Sequence, residues 1–134
     1  MLAGMMLIGA APVAPLDLSF TNLRSDKGLV RICITTAPKN FPACRDAGQA
    51  VTRSIPAATR HLRIEGLPIG DYAVAVIHDE NGNSRLDTFA GIPREGFGFS
   101  RNPAIGFGPP GFAAARFTLD ATGAAQEIRL RYLL

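Results

Sequence analysis

The sequence has 134 residues, 47% of them hydrophobic and 19% charged, and its 14 basic and 11 acidic residues give a formal net charge of +3. This length is enough for one domain with a buried core and for little else. The basic residues are scattered from Arg24 to Arg131 without a run, and no aromatic stacking surface accompanies them, which argues against nucleic acid as a partner.

An apolar stretch, residues 1–14, opens the chain and reads MLAGMMLIGAAPVA. It ends in small residues and resembles the end of a secretory signal peptide, although the usual basic start is missing. A membrane-spanning helix would need about 20 apolar residues, so no membrane span is expected in the mature chain. The sequence therefore predicts export to the periplasm or the medium, with residues 15–134 as a single domain. A plain apolar N-terminal tail is the alternative.

The first two strands are predicted from the patterns at 16–21 and 29–35. Apolar and polar residues alternate over 16–21, whereas 29–35 is rich in β-branched residues. A turn-forming segment, residues 23–28, lies between them. This arrangement predicts a hairpin.

Two cysteines, Cys33 and Cys44, flank a turn-rich segment, so that a disulfide between them would close a short loop. An even cysteine count and the predicted export both favour this disulfide. The alternative is a core cysteine at position 33 and a free thiol at position 44. A metal site on these two residues is not expected, since no Cys-x-x-Cys pair or nearby histidine completes it.

The next segment, residues 42–57, is expected to be mostly irregular, with a short edge strand as the alternative. Alternation returns at 59–67 and predicts a half-exposed strand. Pro68 and Gly70 then indicate a tight turn.

The most apolar strand is predicted over Tyr72 to Ile77, and a compact polar loop follows it. Five residues of this loop stand at alternate positions, as the oxygen ligands of a calcium-binding loop do: Asp79, Asn81, Asn83, Arg85 through its carbonyl group, and Asp87. The sixth position is Ser84 where glycine is usual, and the twelfth is Ala90 where a glutamate is usual. Calcium is therefore one interpretation, and an ordinary turn rich in Asp and Asn is the other.

A long stretch without periodicity, residues 88–111, combines glycine and proline with several phenylalanines. Such a connection either has a function or folds as an ordered excursion. The phenylalanines either anchor the loop onto the sheet or form an exposed apolar patch for a partner, glycan or lipid. Candidate ligand-binding residues in and before this stretch are His78, Glu95, Phe97, Phe99 and Ser100.

Two alternating runs close the chain, at 115–119 and 126–133, with turn residues 120–123 between them. They predict a terminal hairpin. Six to seven short strands and no helix indicate an all-β fold, an antiparallel β-sandwich with one long Gly/Pro/Phe loop. The chain has no tryptophan, which disfavours an antibody-type domain within this Ig-like architecture.

The strand order resembles the transthyretin-like, or prealbumin-like, sandwich. Three segments together, LPIGDYAVAVIHDENGNSRLDT, GIPREGFGFSRN and FGPPGFAAARFTL, resemble the bacterial exported family catalogued as domain of unknown function 2141. The resemblance covers the chain from about Leu16 to the C-terminus. It implies a periplasmic or secreted β-sandwich and carries no established activity.

Two functions from different classes follow. The first is a non-enzymatic exported module that binds a ligand, a glycan or a cell-envelope protein with the polar loop and the Phe-rich loop beside it. The second is a hydrolase or other enzyme that uses His78 and neighbouring acids. His78 and Asp79 are adjacent on a strand and so point to opposite faces, and the sequence has no G-x-S-x-G or H-E-x-x-H motif. The first function is therefore preferred, and no enzymatic activity is expected.

Overall fold

The alternating segments of the sequence form strands in the computed structural model, which describes residues 12–82, 88–89, 92–106 and 108–134. Within these ranges the structure contains ten strands and one short α-helix. In chain order they are β1 (Val13–Thr21), β2 (Leu29–Thr35), β3 (Ala50–Pro56), β4 (His61–Pro68), β5 (Gly70–Asp79), β6 (Thr88–Phe89), β7 (Ile92–Pro93), β8 (Gly96–Phe99), α1 (Phe112–Ala115), β9 (Phe117–Leu119) and β10 (Ala124–Arg129). The described ranges include no helix of the length and apolarity that a membrane crossing requires.

The longer strands form two sheets packed face to face. One has three strands in the order β10-β1-β4, and the other has the order β3-β2-β5-β8, with β9 paired to the first residues of β5. The strands β6 and β7 pair only with each other. All pairings are antiparallel except that of β1 with β10, which is parallel. The predicted all-β sandwich is confirmed, with this one parallel pair in it.

Both predicted hairpins are wrong. The strands β1 and β2 belong to different sheets, and so do β9 and β10. Alternation marks a strand and its buried face, but it does not identify the neighbouring strand. The chain crosses between sheets at both places, so that Phe20 and Val30 enter the same core from opposite sides.

The segment expected to be mostly irregular, residues 42–57, contains one short 3₁₀ turn, Ala47–Gln49, and then the edge strand β3. Another 3₁₀ turn, Pro38–Asn40, precedes the segment. Only Ile55 of β3 is fully buried, and its middle residues are exposed. An edge strand with so little burial has few apolar positions, which explains the weak pattern in the sequence.

The core lies between the two sheets. Along β1, inward-facing apolar residues alternate with more exposed residues, and β2 and β5 of the opposite sheet also turn every second residue towards this core. The outward-facing residues of β5 are mostly apolar as well. The largest fully buried side chains of this core are Leu16, Leu18, Phe20, Val30, Ile34, Val74, Val76, Leu119, Ile128 and Leu130.

The predicted disulfide between Cys33 and Cys44 is present, with 6.4 Å between the two Cα atoms. It fastens the loop after β2 onto the outer face of the five-stranded sheet. Asn40, buried in that loop, donates from its side-chain nitrogen to the carbonyl oxygen of Asp46 at 2.9 Å and accepts from the Asp46 amide at 2.9 Å. The loop is therefore a fixed part of the fold.

The predicted export segment meets the sandwich at its end. Residues 1–11 lie outside the described residues, but Val13 and Ala14 are the first two residues of β1. Ala14 is buried in the core, and the carbonyl group of Pro12 accepts a hydrogen bond from the Ile69 amide at 3.0 Å. The segment and the folded domain thus overlap by these residues.

Candidate functional site

A second apolar cluster lies on the outer face of the five-stranded sheet, away from the main core. Its buried members are Phe41, Ala73, Ala75, Phe99 and Ala115. The rings of Phe41 and Phe99 meet edge to face with their centroids 5.8 Å apart. The disulfide loop and the segment around α1 therefore cover one half of this face.

The anchoring role expected of the phenylalanines is seen for Phe97 and Phe99. Both lie on β8, where they pair with Ile77 and Ala75 of β5, and both face outward. Phe99 is buried and Phe97 half-buried. The glycines that alternate with them, Gly96 and Gly98, face the interior, where a Cβ would overlap the side chain of Tyr132 or Ile128, respectively. Phe107 lies outside the described residues.

The half of the outer face that the other described residues leave open is a cleft with a volume of about 980 Å³. Ala75, Ile77 and the disulfide form its floor, while Phe97 and Ile105 stand on one side of it. Other lining residues include Pro42, Ala43, Gly106, Gly108, Pro109 and Leu133. The volume falls in the upper part of the range, roughly 300 to 1,000 Å³, found for small-molecule sites.

One border of the cleft is polar. Thr52, Ser54 and Arg31 line it on the side of β3 and β2. The Nε of Arg31 donates to Oδ2 of Asp79 at 2.7 Å, and its Nη1 donates to the Ser54 hydroxyl at 3.3 Å. The Asp79 side chain is fully buried, whereas that of Arg31 is 31% exposed. The cation of this pair therefore lines the cleft, and the buried carboxylate does not.

The residues predicted to bind calcium are described only in part. Asp79 makes the ion pair with Arg31, a poor surrounding for a divalent cation because the guanidinium group would repel it. Asn81 is exposed in a turn closed by the hydrogen bond from the Gly82 amide to the Asp79 carbonyl group at 3.2 Å. These features favour the turn interpretation for the part of the loop that is described.

The other residues predicted to bind calcium, Asn83, Arg85 and Asp87, lie outside the described residues, as do Ser84 and Ala90. Within the described ranges, no three Asp, Glu, His or Cys side chains are grouped as a metal site. Calcium binding stays a prediction. It is tested by comparing the melting temperature of the protein in millimolar calcium with that of a chelated sample. Equal melting temperatures would leave only the interpretation as an ordinary turn.

His78 faces the interior and is fully buried. Its Nε2 lies 2.8 Å from the carbonyl oxygen of Lys27, so this nitrogen carries the hydrogen and donates it. Its Nδ1 lies 2.7 Å from the Tyr132 hydroxyl group, which in turn accepts from the Arg24 amide at 3.1 Å. Both ring nitrogens are thus occupied, and His78 does not line the cleft.

Ser100 is also engaged within the fold. Its hydroxyl group accepts from the Val74 amide at 2.9 Å and donates to the Ala115 carbonyl group at 2.6 Å. It is fully buried and joins β5 to α1. Ser100, a candidate ligand-binding residue, is therefore a structural link between two elements.

Glu95 lies apart from the cleft and from His78 and Ser100. It is buried beside a small cavity of about 200 Å³ that Arg24, Glu80, Asn81 and Arg94 also line. Burial raises the pKa of Glu80, but hydrogen bonds from Arg24 and Ser25 and the Arg24 charge outweigh it and lower the pKa below its usual value. Glu80 is therefore a charged partner of Arg24 in this region, with an Nη2–Oε1 distance of 2.6 Å.

The five candidate ligand-binding residues do not form one site. Phe97 and Phe99 line the cleft, whereas His78, Ser100 and Glu95 lie elsewhere. Nor do His78, a carboxylate and a hydroxyl group meet in a cavity among the described residues, which is the arrangement that the hydrolase alternative requires.

Sequence reasoning missed most of the cleft. Arg31 was part of a predicted strand, and Ala75 and Ile77 were read as ordinary strand residues. One signal was available: Arg31 is a charged residue between buried apolar neighbours, in register with Ile77 on the neighbouring strand. A charged residue on a central strand is rarely buried without a partner, so this pattern indicates a polar feature on the outer face of the sheet.

The chain was also compared with known proteins. The family described as "Uncharacterized protein conserved in bacteria (DUF2141)" matches residues 18–128. No curated protein and no solved structure gave a significant match.

Proposed function

The chain belongs to the DUF2141 family of bacterial proteins, and we propose that it is an exported, non-enzymatic module that binds a small apolar ligand in the outer-face cleft. The family match agrees with the resemblance found in the sequence motifs. The observation that carries the proposal is the cleft itself, an apolar concave surface of about 980 Å³ on a sheet whose other half is covered.

The build of the cleft supports ligand binding. Its floor consists of short side chains, notably Ala75 and the Cys33–Cys44 disulfide, so that a ligand can approach the sheet closely. Phe97 and Ile105 offer apolar contact from one side. Burial of apolar surface stabilises a complex by about 25 cal/mol per Å² before the costs of association are subtracted. Two sheets and a disulfide hold these groups in place, which limits the entropy lost on binding.

Export is supported by the apolar N-terminal stretch and by the disulfide, since disulfides persist mainly outside the reducing cytosol. The test is maleimide labelling of Cys33 and Cys44 in freshly lysed, fractionated cells. Protein from the periplasm or medium that resists labelling until it is reduced agrees with the proposal. Free thiols on protein confined to the cytosol would contradict it.

Ligand binding is tested with a fluorescent probe that joins an apolar aromatic body to one sulfonate group, anilinonaphthalene sulfonate, titrated onto the folded protein. The Ala75→Leu variant fills the floor and should weaken the probe affinity at least about tenfold. Ala43→Leu changes the exposed rim and gives a second test that does not touch the core. The matched control is Ala125→Leu on the exposed face of the other sheet, which should leave the affinity unchanged.

Melting temperatures of all the variants show whether each is folded. Wild-type protein that binds no probe in a saturable way would refute the proposal. Equal affinities for wild type, Ala75→Leu and Ala43→Leu would refute it as well, because the probe would then bind elsewhere.

A further inference from the structure

We infer that the ligand of the cleft is an amphiphile with a single carboxylate, whose head group lies at Arg31 and whose hydrocarbon body lies along Phe97. The inference rests on the proposed function, because it names the chemical class that the proposed cleft takes. It follows from how polarity is distributed across the four strands that form the floor.

The cleft changes in character from one side of the sheet to the other. On β8 and β5 its outward-facing side chains are Phe97, Phe99, Ile77 and Ala75, all apolar. On β2 and β3 the polar side chains appear, with Arg31, Thr52 and Ser54 at the surface. A wholly apolar ligand would leave the polar border desolvated and unmatched, which costs free energy. A ligand with one polar end matches both sides.

The charge of that polar end follows from Arg31. Among the outward-facing lining residues that the structure describes, Arg31 has the only charged side chain, because the Arg53 side chain shares the inward face with Ile32. A guanidinium group binds carboxylates through short charge-assisted hydrogen bonds, which are stronger than those between neutral groups. Thr52 and Ser54 add hydroxyl groups beside it. An anionic head group is therefore complementary to this border and a cationic one is not.

The number of charges on the head group follows from Asp79. Its carboxylate lies 2.7 Å from Arg31 and is fully buried. This partner fixes the guanidinium group in position and offsets part of its charge. The attraction of a head group to this partly offset charge grows in proportion to the head-group charge, whereas the free energy lost on desolvating the head group grows with the square of that charge. A second charge on the head group therefore costs more than it returns. A singly charged carboxylate is the better match.

The experiment compares three ligands that differ only in the head group: dodecanoate, dodecanol and dodecylamine. Displacement of the fluorescent probe gives each affinity for the folded wild-type protein. Dodecanoate should bind about tenfold more tightly than dodecanol, in line with one charge-assisted hydrogen bond, and dodecylamine should bind most weakly.

The double variant Arg31→Met/Asp79→Asn removes both charges, so that no buried carboxylate is left without its cation. It should bind dodecanoate and dodecanol alike. The matched control is Arg63→Met/Asp17→Asn, which removes a more exposed ion pair on the opposite sheet, whose Nη1–Oδ2 distance is also 2.7 Å. This control should keep the tenfold preference.

The outcomes separate the two proposals. Equal affinities of wild type for all three ligands, or a preference that survives in the Arg31→Met/Asp79→Asn variant, would overturn the carboxylate inference and leave the apolar cleft intact. Tighter binding of dodecyl phosphate than of dodecanoate would overturn the single charge. Binding of none of these ligands while the probe binds in the cleft would overturn the inference, and failure of the probe to bind would overturn the proposed function itself.

Discussion

Replacement of Tyr132 by phenylalanine removes one oxygen atom and should destabilise the fold through His78. The lost hydroxyl group is hydrogen-bonded to Nδ1 of His78 at 2.7 Å and accepts from the Arg24 amide at 3.1 Å. Arg24 is exposed, so its amide can bind water instead. His78 is fully buried, so its nitrogen would lose its hydrogen bond without replacement. A buried polar atom left in that state costs about 1 to 3 kcal/mol.

The matched control is Tyr72→Phe, which removes the same atom elsewhere. The Tyr72 hydroxyl group donates to the carbonyl oxygen of Pro68 at 2.6 Å. Pro68 is exposed, so water can replace this donor and the loss should stay below about 1 kcal/mol. Urea denaturation followed by circular dichroism measures both free energies of unfolding. A loss of 2 kcal/mol at an m-value of about 1.5 kcal/mol/M lowers the midpoint by about 1.3 M.

If the two variants lose the same stability, the reasoning on His78 is refuted. A Tyr132→Phe protein as stable as wild type would show that the histidine finds another partner or is hydrated. The larger loss in Tyr132→Phe would support a structural role for His78, separate from any chemistry in the cleft.

Three further results are expected. Removal of the disulfide by Cys33→Ala/Cys44→Ala, with its sequence separation of 11, should lower the free energy of unfolding by about 3 kcal/mol, and dithiothreitol should then have no further effect on the urea midpoint. Gly96→Ala places a Cβ against the Tyr132 ring and should cost about 1 to 3 kcal/mol in the same assay, whereas Gly106→Ala, with open space around it, should cost less than 1 kcal/mol. Because burial raises the pKa of both tyrosines, the unfolded chain loses its phenol protons near pH 10 before the native protein does. Stability against urea should therefore be insensitive to these groups below pH 10 and fall above it, and tyrosinate absorbance that rises at the same pH in native and unfolded protein would contradict this.

The fold class was predictable from local patterns because the apolar residues of a strand reflect which of its side chains are buried. The alternation around Leu16 and Leu18, and the apolar run that ends at Ile77, both come from side chains that face the core. The Cys33–Cys44 disulfide was predictable from the even cysteine count and the turn-rich segment between the two residues. The edge strand β3 was only an alternative, since an edge strand carries few buried positions.

The candidate site was far less predictable. The sequence placed His78, Glu95 and Ser100 near one another along the chain and therefore near one proposed site. The structure assigns them to the interior, to a small cavity and to a link between elements, respectively. Separation along the chain does not determine which face of a sheet a residue takes, because one step along a strand reverses the side.

The sequence by itself indicated that this chain is a β-sandwich, which residues of its clearly alternating strands face the core, and that one disulfide closes the loop after the second strand. Only the tertiary structure decided which strands are neighbours, and hence that Arg31, Ala75 and Phe97 lie across three adjacent strands of one floor. The physical reason is that the spacing of apolar residues within a single strand indicates which of its faces is buried. The pairing of strands, in contrast, joins residues that are far apart in the sequence and depends on the packing of the whole core.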